Sequence, residues 1–204
     1  MSEIRLATFL SGGGRTVLNF LDRIDAGRLP ARLVLAIADR DCSGIERIRA
    51  RGVDVLLEPW SKGTTPDEYA ERVWPKVAAA DVGLVCLCGF LRMLRIPPAW
   101  EGRVMNIHPG LLPDFGGQGM YGDRVHRAVL EAGVPESGCT VHFADNVYDH
   151  GPILVQRRVP VLEGDTPDRL AARVFEAECE AYPEAIALFA EGRIRSQDGE
   201  VSIQ

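Results

Sequence analysis

What this 204-residue chain lacks narrows what it can do. No apolar run approaches the roughly 20 residues that a membrane-spanning helix needs, so no membrane partner is expected. The opening stretch MSEIRLATFL has no basic region followed by a long apolar segment and a cleavage site; a cytoplasmic protein is therefore expected. Basic charge is in short supply. With 23 Lys and Arg against 29 Asp and Glu, the net charge of −6 argues against nucleic acid as a partner, although a local basic pocket remains compatible with it. The five cysteines, Cys42, Cys86, Cys88, Cys139 and Cys179, are odd in number and not spaced as a disulfide framework, which fits reduced thiols. Cys86 and Cys88 would face one side of a strand, but such a pair reads better as small apolar residues than as metal ligands, and no metal is expected. There are no internal repeats, low-complexity tracts or linkers.

What remains is an ordinary globular composition, 46% hydrophobic and 25% charged, long enough for a substantial core. Strand-like and helix-like segments alternate through the first ~110 residues, which predicts an α/β fold with a mainly parallel sheet covered on both faces. Strands are expected over Ile4–Leu10, Ala31–Asp39, Val53–Leu57, Val82–Cys88 and the start of RVMNIHPGLLP at Arg103–Pro113. Helices are expected over Thr16–Ala26, Ser43–Gly52 with Ser43 as cap, Asp67–Ala80, Asp123–Ala132, and from about Thr166 to Ala190. Two further strands are expected at Gly138–Asp145 and Gly151–Val161. The region from 194 to 204 reads as a polar, peripheral tail on a single domain covering 1–204 (about 4–193).

The chemistry concentrates in a few places. Asn106 and His108 lie two apart on an extended chain, so they point to one side at the carboxyl end of a strand, where open α/β sheets bind ligands; a capping Asn beside a structural His is the plainer reading. SGGGRT after the first strand joins a glycine turn to a helix N-terminus and Arg15. That is either an anion cradle or simply a tight turn, and it is neither the Walker nor the G-x-G-x-x-G pattern. Gly89–Leu94 leaves the fourth strand as an apolar loop, either a pocket wall or core. Four glycines fall within Gly116–Gly122, which predicts mobility. Glu178 sits on the apolar stripe of the last helix (Leu170, Val174, Ala181, Ala185, Leu188), where a carboxylate needs a partner.

In combination, SGGGRT, GFLRML, NIHPGLLP and VHFADNVYDHGPILVQ resemble the folate-dependent formyltransferases over about Ile4 to Arg193. The resemblance implies a single-domain formyltransferase fold with a Rossmann-like N-terminal half. It implies formyl transfer from 10-formyltetrahydrofolate, as co-substrate, to the primary amine of glycinamide ribonucleotide in purine biosynthesis. It also implies small-molecule partners only and a monomer or homodimer. Carried over residue by residue, it makes Asn106, His108 and Asp149 catalytic, with Asp149 raising the His108 pKa. Gly13, Gly14, Arg15, Thr16, Pro109 and Glu178 would bind the ribonucleotide. Gly89, Phe90, Leu91, Arg92, Met93, Leu94, Asn106 and Val141 would bind the folate. A cis peptide is implied at Leu112-Pro113. His126 and His142 match family histidines near the site, whereas His150 is expected to face solvent.

The chain departs from the family pattern in four places. Gly110 replaces the usual Ser, the 114–122 loop is about five residues longer, no Arg lies near Pro66 to reach the folate tail, and Cys179 stands where some members have His. The alternatives are a formyltransferase acting on another amine, such as an amino sugar, and a non-catalytic folate-binding module. The tRNA-directed and hydrolytic members would need additional C-terminal or N-terminal domains.

Overall fold

The computed structural model describes residues 3–197 and 200–203. Seven strands form one mostly parallel sheet in the order β3-β2-β1-β4-β5-β6-β7, and two more form a separate hairpin. By internal contacts the chain makes two compact units, residues 1–105 and 106–204, and the division falls inside β5. Among the described residues, no helix is long and apolar enough to cross a membrane.

In the first unit, β1 (Ile4–Leu10) pairs in parallel with β2 (Ala31–Ala38) on one side and β4 (Leu84–Leu87) on the other, while β3 (Val55–Leu57) pairs with β2. These strands are near-continuous apolar runs because both of their faces are covered, and Leu6, Phe9, Ile37 and Leu84 are fully buried. Helix α1 (Arg15–Asp25) buries Val17, Phe20 and Leu21, the i, i+3, i+4 pattern of a one-sided apolar stripe. Helix α3 (Pro66–Ala79) begins with a complete capping box. The Thr65 hydroxyl accepts from the Glu68 N–H, and the Glu68 carboxylate accepts from the Thr65 N–H at 2.8 Å.

Helix α2 (Ser43–Arg49) corrects one expectation: Cys42, not Ser43, is its N-cap, and no side chain caps it. Packing sets its start instead. A Cβ on Gly44 would stand 2.4 Å from the Gly12 carbonyl oxygen and 3.1 Å from the Gly14 nitrogen, so α2 rests directly on the glycine turn.

The second unit contains the end of β5 (Val104–His108), α4 (Asp123–Ala132), the antiparallel pair β6 (Glu136–Phe143) and β7 (Ile153–Pro160), and α5 (Pro167–Ala190), which lies against both of those strands. The expected α4 boundaries match those observed. Thr166 caps α5 and Pro167 opens it; the sequence left the cap between Asp165 and Thr166. The polar tail is a correction: β8 (Ile194–Gln197) and β9 (Glu200–Ile203) pair antiparallel. The signal was in the sequence, where Asp-Gly separates two short alternating segments.

Thr65→Ala removes the hydroxyl half of the α3 capping box and leaves the backbone N–H of residue 65 bonded to Glu68. It is expected to cost about 1 kcal/mol of stability, read from urea denaturation with an unchanged m-value.

Candidate active site

The second unit gathers Asn106, His108, His142 and Asp149. Asn106 and His108 share one side of β5, as their spacing requires. Asp149 reaches them from the 144–152 turn with a φ of 51°, a backbone conformation that Asp tolerates better than most residues. One carboxylate oxygen lies 3.4 Å from His108 Nδ1 and accepts the Gly117 N–H at 3.0 Å. The other accepts from Asn106 Nδ2 at 3.4 Å. The Asn106 amide nitrogen is also 3.1 Å from His142 Nε2, and His142 Nδ1 donates to the Phe143 carbonyl at 2.9 Å. The Asn106 amide nitrogen thus lies between His142 and Asp149, so the carboxamide braces the cluster. A register shift between Val141 and His142 aims the His142 ring.

The 114–122 loop is tied to this cluster. The Phe115 carbonyl accepts from His108 Nε2 at 2.6 Å, and Gly117 holds Asp149. Gly116 makes that approach feasible, since a Cβ there would lie 2.3 Å from Leu112 Cδ2 and 3.1 Å from Asp149 Cβ. A second network fixes the turn after β5. The Thr140 hydroxyl donates to the Gly110 carbonyl at 2.8 Å and accepts from the Leu112 N–H at 3.2 Å and from Gln156 Nε2 at 3.0 Å. Gln156 also donates to the Leu112 carbonyl at 3.1 Å. The Leu112-Pro113 peptide is cis. Sequence reasoning missed Thr140 and Gln156 because nothing in their own strands marks them; only antiparallel pairing at Thr140 and Gln156 puts them side by side.

The electrostatics bear out the direction expected of Asp149 and add a larger opposing effect. Asp149 does favour the His108 imidazolium, and so does the Phe115 carbonyl. Burial outweighs both, with the nearby His142 adding to it, so the His108 pKa lies below its ordinary value. Only 3% of the side chain is exposed. Burial would raise Asp149, but the two rings and the Gly117 N–H outweigh it and keep the carboxyl below the usual carboxylate range. His126, on α4, is buried with no partner for Nδ1, and burial likewise lowers its pKa. His150 is exposed as expected and pairs with Asp145 at 2.7 Å.

Of the other candidates in this unit, Pro109 and Glu178 are half-buried and Val141 is fully buried. Glu178 faces the region of Cys139, whose thiol is pushed up to about 12 by burial first and by the Glu178 charge second.

In the first unit, Gly14 is the N-cap of α1 with a φ of 68°, and no acidic residue occupies the first turn. A helix opening of this kind turns N–H groups and partial positive charge outward. Gly13 and Thr16 are half-buried and Arg15 is exposed. Arg47, which the sequence reading did not single out, donates to the Gly13 carbonyl at 2.9 Å and clamps the turn. The apolar loop divides its side chains. Phe90 packs edge-on against Phe9, with ring centroids 5.5 Å apart, and Leu94 is buried, so both belong to the core. Leu91 is exposed, with Arg92 and Met93 half-buried; only this central stretch offers side chains to a ligand. Among the described residues no cluster of His, Cys, Asp and Glu is gathered as a metal centre requires.

Comparison with known proteins places this architecture. A formyl transferase family model matches residues 4–186. The chain belongs to the formyl transferase family. It is 38% identical over 209 residues to the chloroplastic phosphoribosylglycinamide formyltransferase of Arabidopsis thaliana, covering 98% of this chain and 70% of that one. It is 41% identical to glycinamide ribonucleotide transformylase 1 from Symbiobacterium toebii, whose crystal structure superposes with a TM-score of 0.91 over 98% of this chain and 94% of that one. A formyltetrahydrofolate deformylase from Pseudomonas syringae pv. tomato shares the fold alone, at 19% identity and a TM-score of 0.87 over 99% of this chain and 66% of that one.

For this formyl transferase the geometry explains why glycine occupies position 110. A Cβ there would lie 2.9 Å from Val125 Cγ1 and 3.1 Å from His108 Nε2, and Val125 is fully buried and cannot yield cheaply. Gly110→Ala is therefore expected to displace the His108 ring and shift its titration midpoint in NMR. Adding Val125→Ala opens one side of the contact and should return the midpoint toward the wild-type value.

Proposed function

We propose that this chain transfers a formyl group from 10-formyltetrahydrofolate to the primary amine of glycinamide ribonucleotide. The observation that carries the reading is the Asn106, His108 and Asp149 cluster at the carboxyl end of β5, held together by direct contacts of 3.4 Å. The amine attacks the formyl carbon, and negative charge develops on the formyl oxygen. The Asn106 amide and a protonated His108 are the donors suited to that charge once the oxyanion replaces a partner each holds here, Asp149 or His142 for Asn106 and the Phe115 carbonyl for His108, and each contributes a few kcal/mol where it meets the oxyanion. When the tetrahedral species collapses, the bond from carbon to the folate nitrogen breaks. The amine's proton leaves and the folate nitrogen takes one up, a transfer His108 can relay. Asp149 orients the ring and favours its charged form against the cost of burial.

In this reading the glycine turn with Gly13, Gly14, Arg15 and Thr16 holds the ribonucleotide phosphate, and Pro109 and Glu178 contact its acceptor end. The loop from Gly89 through Phe90, Leu91, Arg92 and Met93 to Leu94, with Val141, receives the pterin. The anion cradle favours a phosphorylated acceptor over a neutral amino sugar. The free cysteines fit a reducing compartment such as the cytoplasm.

The deciding experiment offers 10-formyltetrahydrofolate with glycinamide ribonucleotide, with amino sugars, and with water alone. Turnover with the ribonucleotide alone is expected; transfer only to amino sugars, or hydrolysis only, refutes the acceptor. His108→Ala should lower kcat on the order of 10²–10⁴-fold with ribonucleotide binding nearly intact, and near-normal turnover would remove His108 from the chemistry. Asp149→Asn takes away a charge that favours imidazolium, so the pKa of His108 falls further. The limb of the kcat/KM profile that declines as His108 loses its proton should move to lower pH, and an unmoved profile would contradict the role given to Asp149.

A further inference from the structure

The mechanism above leaves one buried charged group unused. Asp39 follows β2, Ser11 follows β1 at the head of the glycine turn, and Gly89–Leu94 follows β4. Because β2, β1 and β4 are adjacent and parallel, their carboxyl ends, and hence these three segments, emerge at one edge of the sheet. The Asp39 side chain is fully buried and takes up two guanidinium groups: Arg40 through two bonds of 3.2 and 3.0 Å, and Arg92 at 3.0 Å. The Ser11 hydroxyl also bonds to it.

The Ser11 bond has a direction. A serine has one hydroxyl proton, and a carboxylate can only accept, so that proton goes to Asp39. The oxygen is then left to receive the Leu91 N–H at 2.9 Å, while the Ser11 N–H donates to the Gly89 carbonyl at 3.1 Å. The loop is thus anchored by Phe90 and Leu94 in the core, and the stretch between them is set by polar bonds that converge on Asp39. Arg92 also lies over the Trp60 ring at 5.5 Å, and the Trp60 N–H donates to the Asp39 carbonyl at 2.8 Å.

We propose that Asp39 is a positioning residue for the pteridine co-substrate: through Ser11 and Arg92 it fixes the Leu91–Met93 stretch in the shape that receives a reduced folate. This rests on the reading of that loop as the folate side of the proposed function. It predicts an effect on one substrate and not the other, because Ser11 only heads the glycine turn, whose following residues Gly12 to Gly14 are held separately by Gly44 and Arg47.

The test compares wild type with Asp39→Asn, Ser11→Ala and Arg40→Gln, measuring the dissociation constant for tetrahydrofolate by calorimetry and KM for each substrate. Asp39→Asn should raise the tetrahydrofolate dissociation constant and KM about tenfold or more, with the ribonucleotide KM and kcat within about threefold of wild type. Ser11→Ala keeps every charge, so it should fold even if Asp39→Asn does not, and it should show the same split to a smaller extent. Arg40→Gln leaves the Ser11 and Arg92 bonds in place and should leave folate binding unchanged. Unchanged folate binding in Asp39→Asn or in Ser11→Ala, equal loss for both substrates, or Arg40→Gln reproducing the Asp39→Asn effect would each overturn the assignment. A wild type that binds tetrahydrofolate but formylates no ribonucleotide would refute the proposed acceptor and leave the binding comparison valid. A wild type that binds no tetrahydrofolate would overturn both.

Discussion

The Asp149 carboxylate, reaching the end of β5 from a turn more than forty residues away, is the contact on which the rest of the polar cluster depends. It accepts from Asn106 and from the Gly117 N–H and lies beside the His108 ring. Without it, Asn106 and His108 would keep only the His142 ring and the Phe115 carbonyl to set their orientation, and the 114–122 loop would lose one of its two ties. A carboxylate this sheltered is tolerated because its donors outweigh the cost of burial, which is also why its pKa stays low.

The same burial works against His108. The ring is enclosed, so its charged form is disfavoured even with a carboxylate 3.4 Å away and a carbonyl on its other nitrogen. The balance is between desolvation and two favourable partners, and desolvation prevails. Gly110 is part of that balance. With no Cβ it lets the ring sit against the Phe115 carbonyl, and the Thr140 and Gln156 network holds the Gly110 carbonyl in place.

In residues 1–105 the governing constraint is close backbone approach rather than charge. Gly44 lets α2 rest on the glycine turn, Arg47 clamps that turn, and Asp39 sets the neighbouring loop. The apolar loop after β4 is both core and exposed surface. Phe90 and Leu94 complete the packing around Phe9, and Leu91 is left outside. Composition could not tell these apart, because all of them are simply apolar.

Local pattern by itself determined a good deal here. The α/β alternation, the order of strands and helices, the two-residue spacing that puts Asn106 and His108 on one side of β5, and the bounds of α4 were all legible, since each depends on residues close together in the chain. Family resemblance named Asp149 and the cis peptide at Leu112-Pro113. Tertiary structure alone decided which way His108 is shifted, which apolar loop residues are core, where α2 begins, and that Thr140, Gln156 and Asp39 take part. These are balances between burial and partners, or contacts between segments tens of residues apart. Neither quantity exists until the chain has folded.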